Sequence, residues 1–137
     1  MKALQSVEYL VIHHSASNPR LTTVGTIREW HVKDRGWDDI GYHWVVTDDG
    51  HIWTGRDLTK QGAHAPKVNS CSWGVCVVGD NTKQGWEWNH DQEDALLELI
   101  DAVRVIVPGI KIIGHRDTGQ ATECPGLDVA EWFKGVM

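Results

Sequence analysis

The sequence has no long apolar run and no cluster of basic residues. None of its segments approaches the roughly 20 consecutive apolar residues that a helix needs to cross a bilayer, so we expect no membrane insertion. Lys and Arg number 13 against 19 Asp and Glu, which gives a formal net charge of −6. This balance argues against a nucleic-acid partner that is bound by neutralising phosphates. The 41% hydrophobic and 23% charged residues are typical of a globular protein.

Cysteine and phenylalanine are also scarce. The three cysteines are an odd number, so no disulfide framework is implied. Cys76 is expected in a buried strand, and Cys71 in a half-exposed loop or strand edge. The single Phe contrasts with eight Trp, a residue that offers a flat apolar face together with an N–H donor. Sugar-binding grooves use that property, but tryptophan in a small protein is more often part of the core.

The first residues lack the pattern of a secretory signal. Residues 1–9 contain one Lys and no apolar run of the required length. We therefore expect synthesis in the cytoplasm without a signal peptide. A chain of 137 residues can bury an adequate core without disulfides. We expect one domain over residues 1–137, and a monomer.

Apolar periodicity, helix caps and turn residues predict eight elements in the order β, α, β, β, β, α, β, α. Residues 48–50 (DDG) are a hairpin signal, and residues 58–72 lack an apolar period, which predicts a long loop. The order predicts an α/β (α+β-like) fold, a single domain with a central mixed β-sheet flanked by helices. The expected strands are 7–13, 42–47, 51–54, 72–79 and 110–113. The expected helices follow caps at Thr22 or Thr23, at Asn89 and at Asp128, and the first two run to about Arg35 and Val105.

Two short stretches at opposite ends of the chain contain the ligand types that zinc prefers. Residues 11–15 (VIHHS) offer His13 and His14, and residues 114–126 offer His115 and Cys124. A strand sends adjacent residues to opposite faces, so only one of the first two histidines can point at a given site. Two imidazoles and a thiolate fill three of four tetrahedral positions and leave one for water. The spacing alone also fits ordinary hydrogen-bonded histidines and a cysteine in a turn.

Five ordered blocks of sequence extend this pattern over nearly the whole chain. Together they resemble the type 2 N-acetylmuramoyl-L-alanine amidases, a family that includes the amidase-type lysozymes of tailed phages and the animal peptidoglycan recognition proteins. The blocks are residues 11–17 (VIHHSAS), 41–44 (GYHW), 62–65 (GAHA), 74–79 (GVCVVG) and 114–126 (GHRDTGQATECPG).

The resemblance implies one zinc ion held by His13, His115 and Cys124. The family pattern is two apolar residues, the ligand His, one variable residue and Ser, which selects the first of the adjacent histidines. It also implies catalytic roles for Tyr42 and for Thr122, two residues before the Cys ligand, where phage lysozymes often carry Lys. We expect Tyr42 to orient the attacking water or stabilise the oxyanion, and Thr122 to hydrogen-bond the same oxygen.

Around this site we expect His43, His64 and Asn69 to line the substrate groove. Strand alternation places His43 on the other face of the sheet unless the strand is ending there. Zinc-ligating histidines normally have a partner for the second ring nitrogen. Asp117 and backbone carbonyls are the candidates.

The resemblance also implies a substrate and a setting. The bond cleaved in the family joins the lactyl group of N-acetylmuramic acid to L-Ala of the stem peptide. Arg56 and Arg116 are candidates to meet the stem-peptide carboxylates, and the alternative for Arg116 is to stabilise its own loop through Asp117. Bacterial peptidoglycan or muropeptides are the expected partners. We expect a phage or prophage endolysin, which reaches the wall through a membrane pore made by another protein. The alternatives are a cytosolic amidase that recycles anhydromuropeptides and a non-catalytic peptidoglycan-binding module.

Overall fold

A five-stranded mixed sheet forms the centre of the protein. The computed structural model describes residues 1–136, so the last residue of the expected domain, Met137, lies outside the described residues. The strand order is β3-β2-β4-β1-β5, and all neighbouring strands are parallel except in the β2–β3 hairpin. The strands are β1 (Tyr9–His14), β2 (Trp44–Val46), β3 (Ile52–Thr54), β4 (Ser72–Val77) and β5 (Lys111–Gly114).

Three α-helices pack on the sheet and begin at the capping residues that the sequence contains. Thr23 and Asn89 each form a capping box, in which the cap side chain accepts a hydrogen bond from the backbone N–H three residues later. Asp128 accepts one from the backbone N–H of Glu131, at 3.1 Å. Within residues 1–136, no helix combines the length and apolar character that crossing a membrane requires. The helices are α1 (Val24–Glu29), α2 (His90–Ile106) and α3 (Val129–Val136).

The first helix changes its hydrogen-bonding pattern at its midpoint. After Glu29 it continues as five π-helical residues, Trp30–Asp34. The backbone N–H of Arg35 bonds to the carbonyl oxygen of Trp30, five residues earlier, at 3.2 Å. Gly36 then ends the helix with a positive φ of 71°, a conformation that glycine adopts without steric cost. The helix has the predicted length, but its second half is π-helical and carries the buried side chain of His31.

Helices α2 and α3 cover one face of the sheet, and this face is apolar. Leu10 and Ile12 of β1 are fully buried there. The apolar residues of α2 recur at the three- and four-residue spacing of an amphipathic helix. Those that join the same core are Ala95, Leu96, Leu99, Ile100 and Val103.

Helix α1 lies over the opposite face, where apolar packing gives way to polar side chains. Ile27 of α1 packs with Val45 and Cys76 in a smaller core cluster. His13 of β1 is aligned with Cys76 of the adjacent strand β4. Because paired residues of neighbouring strands share a face, His13 lies on this side. The sheet therefore places a buried histidine beside a small apolar core.

The predicted element order and fold class are confirmed, and the differences in the sheet lie at element ends. β1 begins at Tyr9 rather than at residue 7, and β2 begins at Trp44 rather than at residue 42. Strand ends are the least regular part of a sheet, so boundaries shift by one or two residues. The predicted loop at 58–72 contains one short 3₁₀ turn, Asn69–Cys71.

Candidate metal centre

Three side chains from distant parts of the sequence meet at the carboxyl ends of β1 and β5. His13 lies near the end of β1, His115 directly follows β5, and Cys124 reaches them on the next loop. Since β1 and β5 are neighbouring parallel strands, their carboxyl ends lie at the same edge of the sheet. One ligand atom from each side chain lies within 4.8 Å of the other two. At these separations the three donors can share one metal ion.

Hydrogen bonds determine which ring nitrogen of each histidine remains free for the other two side chains of the cluster. Nε2 of His13 lies 2.9 Å from Nδ1 of His64, and Nε2 of His115 lies 2.8 Å from Oε1 of Gln120. Nδ1 of His13 lies 3.7 Å from Sγ of Cys124. Each imidazole therefore has an outer partner on Nε2 and keeps Nδ1 for the shared centre, as zinc-ligating histidines commonly do.

These outer partners differ from the expected ones. Asp117 accepts a hydrogen bond from the backbone N–H of Gly114, at 2.8 Å, and so stabilises the turn after β5. Gln120 and His64 take the outer positions instead. Gln120 has no sequence signal beyond its place between two ligands. Nothing in the local sequence pairs His64 with a residue 51 positions away.

Burial disfavours charge on His13 and on Cys124. It lowers the pKa of His13, and the nearby His64 and His115 lower it further, so the imidazole is in the neutral form that binds metals. Burial raises the pKa of the Cys124 thiol to about 12, although the backbone N–H of His14 donates to Sγ at 3.3 Å. A buried thiolate needs a neighbouring positive charge. A divalent cation would supply it, so this donor set fits zinc.

His14 does not join the cluster. Its Nδ1 accepts a hydrogen bond from the backbone N–H of Asn81, at 3.2 Å, and lies 3.8 Å from the carboxylate of Asp80. Burial lowers the pKa of His14, and Asp80 partly opposes the shift. Strand alternation thus separates the two imidazole rings, and of these only the His13 ring faces Cys124.

Tyr42 borders the cluster from the segment before β2. Its ring centroid lies 5.1 Å from that of His13 and 5.4 Å from that of His31. The half-buried ring packs against the small core that contains Cys76. Burial raises the pKa of the Tyr42 phenol. The hydroxyl therefore keeps its proton and remains a hydrogen-bond donor.

Thr122 stabilises the loop that carries Cys124. Its Oγ1 accepts a hydrogen bond from the backbone N–H of Cys124, at 3.2 Å. The side chain is half-buried, and this contact leaves its hydroxyl proton available for another acceptor. Its catalytic role stays a prediction.

The three residues expected along the substrate groove make their hydrogen bonds within the protein. Nδ1 of His43 accepts from the backbone N–H of Gly74, at 3.0 Å, and its Nε2 donates to the carbonyl oxygen of Lys60, at 2.8 Å. Oδ1 of Asn69 accepts from the backbone N–H of His64 and of the next residue, at 3.1 and 2.9 Å. His43 and His64 are both buried. Their contact with substrate stays a prediction.

The guanidinium of Arg56 is taken up by backbone carbonyl groups of the protein. Its guanidinium donates to the backbone carbonyl oxygens of Ile40, Gln61 and Asp39, at 2.9, 2.8 and 3.1 Å. Only 7% of the residue is exposed. Arg56 therefore connects two loops, and the expectation for it was wrong. Arg116 is exposed on the 3₁₀ turn that follows β5.

Two imidazoles and one thiolate leave one of four tetrahedral positions free, which is typical of catalytic rather than structural zinc sites. The arrangement therefore fits the class of open, three-ligand metal centres on a mixed sheet. The model of the N-acetylmuramoyl-L-alanine amidase family matches residues 3–127, which include all three candidate ligand residues. The chain belongs to this family.

Similar proteins include phage endolysins and peptidoglycan recognition proteins. The endolysin of Klebsiella phage KP32 is 33% identical over 134 residues, covering 95% of this chain and 87% of that protein. The solved Ph2119 endolysin from a Thermus scotoductus bacteriophage has a TM-score of 0.86 at 30% identity, covering 96% of this chain and 85% of that one. A mutant of Drosophila PGRP-LB in complex with tracheal cytotoxin has a TM-score of 0.81 at 32% identity, with 95% and 82% covered.

Proposed function

We propose that the chain is a zinc-dependent N-acetylmuramoyl-L-alanine amidase. It hydrolyses the amide between the lactyl group of N-acetylmuramic acid and L-Ala of the stem peptide. One observation carries the proposal: His13, His115 and Cys124 converge within 4.8 Å in a chain of this amidase family.

The three converging side chains would hold one zinc ion per chain. His13 and His115 offer Nδ1, and Cys124 offers Sγ. Bound zinc supplies Lewis acidity toward a carbonyl and lowers the pKa of water toward about 7. The neutral His13 and the half-buried Cys124 thiol described above are donors of the kind that such an ion requires.

We assign the polar contacts of the reaction to the hydroxyl groups of Tyr42 and Thr122. The raised pKa of the Tyr42 phenol keeps its proton in place, so it can donate to the carbonyl oxygen as negative charge develops there. The oxygen of Thr122 accepts from the Cys124 N–H, and its proton is free for the same oxyanion. Such donors favour the transition state because the charge appears only there. Cleavage adds water across the amide and yields a carboxylate and the amino group of L-Ala.

The similarity to phage endolysins supports an endolysin setting from a phage or prophage. In that setting the protein is made in the cytoplasm, reaches the wall through a pore made by another protein, and cuts peptidoglycan as a monomer. A cytosolic amidase for anhydromuropeptides would use the same site. It would cut soluble muropeptides far better than intact sacculi, so a comparison of the two substrates separates these settings.

Release of amino termini from purified peptidoglycan tests the activity. The zinc-loaded protein should release new L-Ala amino termini, a chelator should stop the release, and added zinc should restore it. Cys124→Ser should lose both zinc and release. Cys71→Ser is the matched control, because this half-buried thiol belongs to a different loop, and it should retain both. Bound zinc without new L-Ala termini would contradict the enzyme.

Non-catalytic peptidoglycan recognition is the second candidate function. It is favoured by the similarity to the PGRP-LB mutant whose structure contains tracheal cytotoxin. A recognition module would bind purified peptidoglycan equally well with and without chelator and would release no L-Ala. The convergence of Cys124 with both histidines, and the position of Tyr42 beside His13, favour the enzyme.

A further inference from the structure

A chain of buried hydrogen bonds connects His13 to the backbone of the loop before β4. Oγ of Ser72 donates to the carbonyl oxygen of Val68, at 2.7 Å. Nε2 of His64 lies 3.3 Å from the same Oγ, and Nδ1 of His64 lies 2.9 Å from Nε2 of His13. Ser72 and His13 are at most 1% exposed, and His64 is 7% exposed. The chain is therefore shielded from exchange with water.

The carbonyl group at its end sets the direction of every bond in this chain. A carbonyl oxygen only accepts, so the single hydroxyl proton of Ser72 is committed to Val68. Oγ of Ser72 must then accept from Nε2–H of His64, which leaves a lone pair on Nδ1 of that ring. This lone pair accepts from Nε2–H of His13. Nδ1 of His13 is consequently the nitrogen without a proton, and it is the one that faces Cys124 at 3.7 Å.

We propose that Ser72 and His64 are positioning residues that fix the tautomer of His13, so that its Nδ1 is the free donor to a metal ion. The inference rests on the proposed function for the identity of that ion. The tautomer of His13 follows from hydrogen bonds within the protein and does not depend on which ion is bound.

The surroundings of His64 are built to hold its ring in this position. Asn69 accepts hydrogen bonds from two consecutive backbone N–H groups at His64 and the next residue. A Cβ atom added at Gly74 would lie 2.6 Å from Cγ and Nδ1 of the His64 ring, and one added at Gly62 would clash with Cδ2. Side chains at these two positions would occupy the space of the ring. Glycine there leaves a slot of the size of an imidazole.

The other histidine ligand has a simpler outer partner. Oε1 of Gln120 accepts from Nε2 of His115, at 2.8 Å, and also leaves Nδ1 for the cluster. Gln120 is only half-buried and its loop lies near the surface. The chain through His64 is buried and ends on the backbone. We therefore expect His13 to be the more firmly oriented of the two ligands.

NMR of ¹⁵N-labelled imidazole nitrogens in the metal-free protein tests the tautomers directly. In the wild type, His13 and His64 should both carry the proton on Nε2. Ser72→Ala removes the acceptor for His64, so the proton of His64 should shift toward Nδ1. The tautomer of His13, which Ser72 does not touch, should change with it. An unchanged His13 signal in this variant, or a wild-type His13 with its proton on Nδ1, overturns the proposal.

Zinc affinity, measured by competition with a chelator, gives an independent readout. Loss of an outer partner of a ligating histidine commonly costs about 10–100-fold in affinity, and we expect this loss in His64→Leu. His64→Asn should recover part of it, because its side-chain oxygen can accept from His13 near the position of Nδ1. His90→Leu, at a fully exposed side chain, is the control and should bind like the wild type.

Equal zinc affinity of His64→Leu and the wild type overturns the positioning role. If His64→Leu does not fold, Ser72→Ala and His64→Asn carry the comparison, and both should bind zinc more weakly than His90→Leu. These results can be told apart from the fate of the proposed function. Predicted tautomers and affinities without release of L-Ala support the positioning role and contradict the amidase. Release of L-Ala by a protein whose His13 carries its proton on Nδ1 supports the amidase and contradicts the positioning role.

Discussion

The two faces of strand β1 are buried by different kinds of contact, apolar packing on one and specific polar contacts on the other. Leu10 and Ile12 point toward α2 and α3, where their burial needs no specific partner because the surrounding side chains are also apolar. His13 points toward α1, where the ring has a hydrogen-bonding histidine on one nitrogen and a thiol near the other. Adjacent residues of one strand therefore stabilise the apolar core on one face and form part of the candidate metal centre on the other.

The two faces differ in how much free energy an imperfect contact costs. An apolar side chain that packs imperfectly loses part of its burial energy, whereas a buried polar atom without a partner costs about 1–3 kcal/mol. Within residues 1–136, every buried polar side-chain atom has a hydrogen-bond partner. On the face that carries His13 (the site face), these partners are specific side chains and backbone groups, among them His64, Ser72 and Gln120. Substitutions on the two faces should therefore have separable effects.

Replacement of His13 by Ala should have the largest effect, because it removes a proposed ligand from the candidate metal centre. We expect amidase activity to fall to background. Zinc binding should weaken by more than the roughly 10–100-fold that changes of outer partners cost. Metal analysis of the purified variant and release of L-Ala termini measure both. A variant that keeps its zinc would show that His13 is not a ligand.

Tyr42→Phe should have the next largest effect, and only on the reaction. Removal of one oxyanion donor typically costs on the order of 10²–10³ in rate, while the phenylalanine ring still fills the space beside His13. Zinc content should stay that of the wild type. Tyr9→Phe, at the start of β1, is the matched control and should keep full activity. Unchanged turnover in Tyr42→Phe would contradict its catalytic role.

His31 should make the free energy of unfolding depend on pH. Burial, with help from Arg35 and Arg56, lowers the pKa of His31 from 6.5 to about 4, and its Nδ1 accepts from the backbone N–H of Gly41 at 2.8 Å. The unfolded chain takes up the proton first, so the stability contributed by this group is complete above pH 6.5. It is lost as the pH falls from 6.5 toward 4.

Urea unfolding at pH 7.5 and pH 5 measures this contribution. His31→Asn keeps an acceptor for the Gly41 N–H but cannot titrate. The drop in unfolding free energy between the two pH values should be smaller in this variant than in the wild type, by on the order of 1 kcal/mol. Other buried histidines shift in the same direction and are common to both proteins. Equal drops would show that His31 does not titrate as described.

Ile12→Val tests the apolar face and should have the smallest effect. Removal of one buried methylene typically costs about 0.5–1.5 kcal/mol of unfolding free energy. The residue adjoins His13 in sequence but points to the opposite face, so zinc affinity and L-Ala release should equal those of the wild type. Chemical denaturation and the zinc competition assay measure the two quantities. A loss of zinc affinity as large as that of His64→Leu would show that the two faces are coupled.

The sequence predicts the fold well where the signals are local. The caps Thr23 and Asn89 and the hairpin at residues 48–50 all act within a few residues of where they stand. The ordered blocks were sufficient for the family resemblance and for the choice of His13 over His14. The π-helical half of the first helix has no such signal.

Side-chain partners across the sheet are less predictable. Arg56 was expected to face substrate because arginine binds carboxylates, yet its guanidinium is used by three backbone carbonyls that approach only in the folded chain. Asp117 lies beside a ligand in sequence but bonds to the turn. Proximity along the chain is a poor guide to such contacts, because strand register and loop paths decide which groups meet.

By itself the sequence determined the residue types of the centre, the order of the elements and the membership of an amidase family. Tertiary structure decided the orientation of each candidate ligand. His13 and His64 are 51 residues apart, and they meet because β1 and β4 pair in parallel while a loop held by Asn69 places the second ring over Gly74. A tautomer depends on the hydrogen bond made by the opposite nitrogen, and only the folded chain brings that partner into place.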